Sequence, residues 1–226
     1  MTRLERLYVL WKDRTDSRRV VGELWRTSDG AFAFGYREDL PTREEGFLGL
    51  AEFPERRTVA DPYKSRYLFS SFGERIPAPG RPDRSELLKA WGVLNADDPL
   101  EILARNGGLQ LTDRFELAEY RADDDDLRSP LEFRIAATSK PRFAAAADDV
   151  RSGDRLTLRR ESENAHDVCA TLVLERGGAA LGYVPRPYSR LVAGLLDAGV
   201  ALRATAARRL ALAPDMGRWV VRVERD

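Results

Sequence analysis

The chain has 226 residues, 43% of them hydrophobic, and its 37 Lys and Arg are balanced by 37 Asp and Glu. That zero formal charge excludes a globally basic nucleic-acid wrapper and a strongly acidic disordered chain. The single Cys169 and the single His166 exclude an internal disulfide and an intrachain zinc cluster, and no cofactor is expected.

The first strands are written in β-branched and aromatic residues. Leu7 to Trp11, Val20 to Trp25 and Ala31 to Tyr36 predict an antiparallel sheet, with Ser28-Asp29-Gly30 turning the second strand into the third. From Arg37 to Pro82 short apolar pieces such as Tyr67-Leu68-Phe69 lie between Pro, Gly and charges and give no clear element. Leu87, Leu88 and Trp91 then make the apolar stripe of a short helix closed by Gly92. Asp98 can cap a second helix, with Pro99 at its first position, Leu100 and Leu103 on its buried side and Gly107 at its end. Two short helices across a tight turn also have the outline of a helix-turn-helix DNA reader. Against it, Asp97, Asp98 and Glu101 surround the end that phosphate would have to approach.

A charge partition marks the middle of the chain. Residues 1–130 hold 21 basic and 25 acidic side chains, net −4, and residues 131–226 hold 16 and 12, net +4. The join carries Asp123-Asp124-Asp125-Asp126 followed by Ser129-Pro130. Adjacent carboxylates repel and bury nothing, so a solvated linker over 121–130 is expected between domains at 1–120 and 131–226. A divalent-ion site is the other reading of the Asp run, but the spaced oxygens and turn glycine of a calcium loop are missing.

The second segment predicts a small barrel. Leu156 to Leu158, Ala170 to Leu174 and Ala180 to Val184 read as strands, with Gly177-Gly178 as a turn. A helix after Pro185 carries Leu191, Val192, Leu195 and Leu196 and ends at Gly199, before strands at Leu202 to Ala211 and Trp219 to Val223. The expected fold class is therefore β-rich α+β. It combines an N-terminal antiparallel sheet bearing two short helices with a C-terminal OB-like or SH3-like small barrel holding one inserted helix.

Catalytic chemistry is scarce, and no enzyme activity is expected. The chain has no Gly-Lys pair and so no P-loop. Cys169 lies in an apolar strand pattern and reads as a buried, inert thiol. His166 and Asp167 are sequence neighbours, a poor geometry for a triad, and no Ser elbow accompanies them.

The informative stretch runs from Gly153-Asp154 through Leu156-Thr157-Leu158 and Glu161-Ser162-Glu163-Asn164-Ala165-His166-Asp167 to Ala170, then Gly182-Tyr183-Val184-Pro185. It resembles the HIRAN domain, whose pattern is Gly-Asp, an apolar strand, Glu-Pro-x-Asn-x-x-Asp-x-x-Ala, then Gly-Tyr-Val-Pro before a helix. The resemblance covers about residues 131–226 and implies an OB-like barrel that binds single-stranded DNA, in eukaryotic relatives by its free 3′ end. It places Asn164 and Asp167 at the terminal nucleotide, His166 where DNA-end binders carry a stacking Tyr, and Arg186 at a phosphate with Tyr183 beside it. Arg159, Arg160 and Arg190 are the remaining candidates for a basic groove, although Arg159 and Arg160 must point to opposite faces of one strand. Asn164 and Asp167 also suit a purely structural role in a tight turn, and Tyr183 suits the core. The sequence departs from the pattern at Ser162, where Pro is usual, and at Glu163, whose carboxylate repels phosphate. An aromatic expected near Ile135 to Ser139 is not evident, and Phe143 lies out of register.

Val21-Gly22-Glu23-Leu24 and Phe32 to Tyr36 resemble the N-terminal subdomain of HipA-like toxin kinases, a partner-contacting module, with Phe72 to Leu111 matching its helix pair. No kinase core accompanies it, so no phosphoryl transfer is expected. Together the resemblances imply a bacterial, non-catalytic adaptor for single-stranded DNA or DNA ends in repair, replication or defence. Residues 1–120 would meet a protein partner such as a HipA-type kinase, a helicase or a nuclease. The alternatives are an antitoxin-like regulator of a separate kinase and an accessory subunit of a helicase or nuclease. No run approaches the about 18 apolar residues of a membrane span, and Met1 to Arg6 lacks a signal-peptide core, so a cytoplasmic location is expected.

Overall fold

The computed structural model describes residues 4–14, 17–110, 112–122, 126–137, 143, 146–209 and 219–226. They form two compact units, Met1–Tyr120 and Arg121–Asp226.

The first unit is built on an antiparallel sheet ordered β4-β3-β2-β1-β5. Its strands are β1 (Arg6–Lys12), β2 (Arg18–Arg26), β3 (Phe32–Tyr36), β4 (Tyr63–Ser65) and β5 (Phe115–Glu119). β4 and β5 gave no periodic signal in the sequence, since one is three residues long and the other follows a run of polar and turn residues. Helices α1 (Ser70–Gly73), α2 (Arg84–Trp91) and α3 (Pro99–Asn106) follow β4. The core is aromatic: Phe34 lies 4.4 Å from Phe53 and 4.9 Å from Tyr36 between ring centroids, and Phe47, Phe69 and Phe72 pack around them. Such rings each contribute about 1.5–3 kcal/mol by burial. One cation lies inside this frame. The Arg75 guanidinium is almost wholly buried, yet it donates to the carbonyls of Ser71 and Phe115 and pairs with Asp113.

The acids around α3 serve the fold. Asp98 is buried, accepts from the Leu100 N–H at 3.1 Å and pairs with Arg26 at 2.9 Å. Glu101 accepts from the backbone N–H groups of Leu94 and Asn95. The helix end that a helix-turn-helix reader would offer to phosphate is thus lined by committed carboxylates.

The second unit has a sheet ordered β6-β11-β10-β7-β8-β9. These are β6 (Leu131–Arg134), β7 (Arg155–Arg160), β8 (Thr171–Leu174), β9 (Ala180–Tyr183), β10 (Leu202–Arg209) and β11 (Trp219–Arg225). The two edges meet. Ala136, just past β6, exchanges backbone hydrogen bonds with Tyr183 at 2.8 and 3.0 Å, which closes the sheet into a barrel. Closure requires Gly182, whose φ is +144°. A Cβ there would sit 2.5 Å from Ile135 Cγ2 and closer still to the Ala136 carbonyl oxygen. Cross-strand rows fill the interior: Leu131, Val223, Ala204 and Leu156 make one, and Phe133, Val221 and Ala206 another. Helix α4 (Arg186–Asp197) packs Tyr188 against Phe133.

Three expectations need correction or restriction. Of the stretch expected as a solvated linker, residues 121–122 and 126–130 are described, and the two units divide at its start. Arg121 donates to Ser129 Oγ and the Pro130 carbonyl, and Leu127 is buried. Asp123 to Asp125 lie outside the described residues, as do Leu210 and Ala211 at the end of the tenth strand. Cys169 is not in a strand. It is half-exposed in the loop before β8, because the Asp167 carboxylate caps its N–H at 2.8 Å and delays the strand to Thr171. No described helix is long and apolar enough to cross a membrane.

Candidate nucleic-acid interface

Strand register decides which of the candidate residues share a face. Arg159 pairs with Leu172, and Leu172 with Tyr183, so the three form one row across β7, β8 and β9. This row lies on the outer side, because the alternate positions Leu156 and Val173 point inward. Phe143, only 2% exposed, covers part of that outer face, packing on Leu172 and Leu174 with its ring edge-on to Tyr183 at 5.7 Å. Phe143 is thus a buried packing partner of Tyr183, not an open stacking surface. Thr138 and Ser139 lie outside the described residues.

Glu161 is the hub of the site. It follows Arg159 on the same outer parity, and its Oε2 accepts from both the Tyr183 hydroxyl at 2.7 Å and Asn164 Nδ2 at 2.6 Å. It was not among the sequence candidates, although it occupies the Glu position that opens the motif.

The loop from Glu161 to Ala170 is held from inside. Asn164 Oδ1 accepts from the N–H groups of His166 and Asp167 at 2.9 and 3.2 Å, while Asp167 Oδ1 accepts from Cys169. Both residues thus do the structural work that Asn and Asp do in turns. They also keep capacity for a ligand. The second amide proton of Asn164 and Asp167 Oδ2 make no hydrogen bond with any described residue. His166 is exposed, with its backbone held from both sides and its imidazole outward.

The two adjacent arginines of β7 separate as strand geometry demands. Arg160 turns toward α4, where it pairs with Asp197 at 2.9 Å and donates to the carbonyls of Val168 and Ala170. The Asp197 carboxylate raises its pKa further, above all through the hydrogen bond. Arg160 is thus a strut between loop and helix. Arg159 is exposed and makes no ion pair with a described residue. Arg186, at the first turn of α4, donates to the His166 carbonyl at 2.9 Å, a neutral partner that leaves its charge uncompensated. Arg190 lies one turn further along the helix and is exposed. Elsewhere in the unit, Arg155, Arg203 and Arg208 are neutralised by Asp226 and Glu132.

The arrangement brings Tyr183, Asn164, His166, Asp167, Arg159 and Arg186 around one loop, while Arg160 is committed to that loop's backbone and to Asp197. It offers amide and carboxylate groups to a hydroxyl, ring surface to a base, and two cations to phosphate. Among the described residues no group of three or more His, Cys, Asp or Glu could hold a metal.

Residues 131–212 match the family model of the HIRAN domain. Two solved structures show likeness. One is the crystal structure of the HIRAN domain of human HLTF, at 13% identity and a TM-score of 0.34, covering 42% of this chain and 74% of that one. The other is a Lactobacillus plantarum protein, at 23% identity and a TM-score of 0.35, covering 42% of this chain and 97% of that one. A search among curated proteins gives no match.

Proposed function

From the HIRAN domain carried by residues 131–212, we propose that this chain binds single-stranded DNA, and a free 3′ end in particular, as a non-catalytic adaptor. HIRAN domains are generally modules for single-stranded DNA or DNA 3′ ends. The observation that carries the reading is the Glu161 hub, which fixes Tyr183 and Asn164 beside Arg159, on the outer face of a closed barrel. In this reading Asn164 and Asp167 hold the terminal hydroxyl, Tyr183 and His166 border the last base, and Arg159, Arg186 and Arg190 meet phosphates. Residues 1–120 recruit a protein partner, and the adaptor serves DNA repair, replication or defence in a bacterial cytoplasm.

The test is fluorescence anisotropy of the full chain with a single-stranded oligonucleotide bearing a 3′-hydroxyl or a 3′-phosphate. Salt-sensitive binding that weakens with the blocked end supports the reading. Equal affinity for the two ends removes end recognition, and unchanged binding by Asp167→Ala removes the site assignment.

A further inference from the structure

The first unit carries a cleft that the HIRAN reading does not use. It opens at the β2–β3 turn and the edge strand β4, has a volume of about 1080 Å³, and is lined by Trp25, Ser28, Lys64, Ser65 and Arg66 among others. We propose that Lys64 and Arg66 of this cleft, with Tyr67 next to them along the chain and outside its lining, make a second contact for a single nucleic-acid strand.

Three observations favour that ligand. Lys64 and Arg66 are exposed and make no ion pair with a described residue, whereas Arg26 in the same cleft is tied to Asp98. Tyr67, next along the chain, is 76% exposed, the most exposed of the large hydrophobics among the described residues. Its ring packs on no other described ring, while its backbone N–H is pinned by Ser65 Oγ at 3.1 Å. Two exposed cations followed by an open ring suit a polymer that alternates phosphates and bases better than a phosphopeptide, which offers phosphate without a neighbouring π face.

One acid shares the cleft. The Asp29 carboxylate is already engaged by the Thr27 hydroxyl and the Ala31 N–H, bonds that hold it below the usual carboxylate range, with a smaller contribution from Lys64. It belongs to the hairpin turn, and of the cleft's cations it is Lys64 that acts on it.

The test uses the full chain and a 3′-blocked, mixed-sequence single strand, so that it does not depend on end recognition. The double variant Lys64→Ala/Arg66→Ala is expected to lower the slope of log affinity against log salt by about 1.4, or 0.7 per charge. Tyr67→Ala is expected to weaken binding by about 5- to 150-fold, the equivalent of losing one stacked base at about 1–3 kcal/mol. Both variants should keep the wild-type ratio of affinities for free and blocked ends, because that ratio belongs to the second unit. No measurable binding of the blocked strand by the wild type, or an unchanged slope and affinity in the variants, overturns the proposal. Loss of the end preference in Asp167→Ala alone bears on the HIRAN site and leaves this one standing.

Discussion

The Tyr183 hydroxyl donates to Glu161 Oε2 at 2.7 Å, and through that one oxygen a residue at the end of β9 is tied to the loop that follows β7. The same oxygen accepts from Asn164, so ring and amide are set by a common anchor. Removing the carboxylate takes away the acceptor that these two half-buried donors share. Glu161→Ala should therefore destabilise the second unit by about 1–3 kcal/mol and weaken DNA binding. Glu161→Gln retains an acceptor and should recover most of both. Chemical denaturation together with anisotropy checks this; equal loss in Gln and Ala variants would show that charge, not geometry, is what Glu161 supplies.

Arg159 and Arg160 should separate in a salt titration. Arg159→Ala is expected to reduce the salt slope of single-strand binding by about 0.7, the signature of one lost phosphate contact. Arg160→Ala should leave that slope unaltered while lowering affinity, because Arg160 acts by bracing Val168, Ala170 and Asp197. A changed slope in Arg160→Ala contradicts the assignment of Arg160 as a strut.

Gly182→Ala addresses the barrel seam. The new Cβ meets Ile135 and the Ala136 carbonyl at a backbone conformation that L-residues rarely adopt. A loss of more than about 3 kcal/mol is expected, seen as a lower melting transition for the second unit, with DNA binding lost in parallel. A near-native transition would mean that the Ala136–Tyr183 pairing is not what holds β6 to β9.

Alkaline unfolding should reveal Tyr36. Its hydroxyl accepts from the Leu50 N–H at 2.8 Å, and burial raises its pKa above the ordinary tyrosine value. A raised folded-state value means that the unfolded chain ionises first. This contribution to stability is fully present below the unfolded tyrosine value near about 10 and is lost as pH rises through the folded one. Tyr36→Phe should flatten that part of the alkaline slope. At neutral pH it should cost about 1–3 kcal/mol for the orphaned Leu50 N–H. Urea titrations of both proteins from neutral to alkaline pH measure the difference.

The sequence carried what is local. The Asp98-Pro99 start and Gly107 end of α3, and the helix after Pro185, are set by capping and by 3.6-residue periodicity, and both stand where they were expected. The loop motif from Glu161 to Ala170 was equally legible, since its bonds run between near neighbours such as Asn164 and His166. β4, β5 and β6 were not legible, because short strands gain their stability from partners distant in the chain.

By itself, the sequence determined that the second half carries a HIRAN motif, with a polar loop at β7 and a Gly-Tyr-Val-Pro turn after β9. It could not say which arginine belongs with Tyr183, or that Glu161 joins Tyr183 to Asn164. Those are matters of register and closure. A strand's own alternation fixes that Arg159 and Arg160 oppose each other, but only pairing through Leu172 puts Arg159 on the face of Tyr183. Tertiary structure decided it because cross-strand neighbours are chosen by packing over the whole barrel, not by any local sequence.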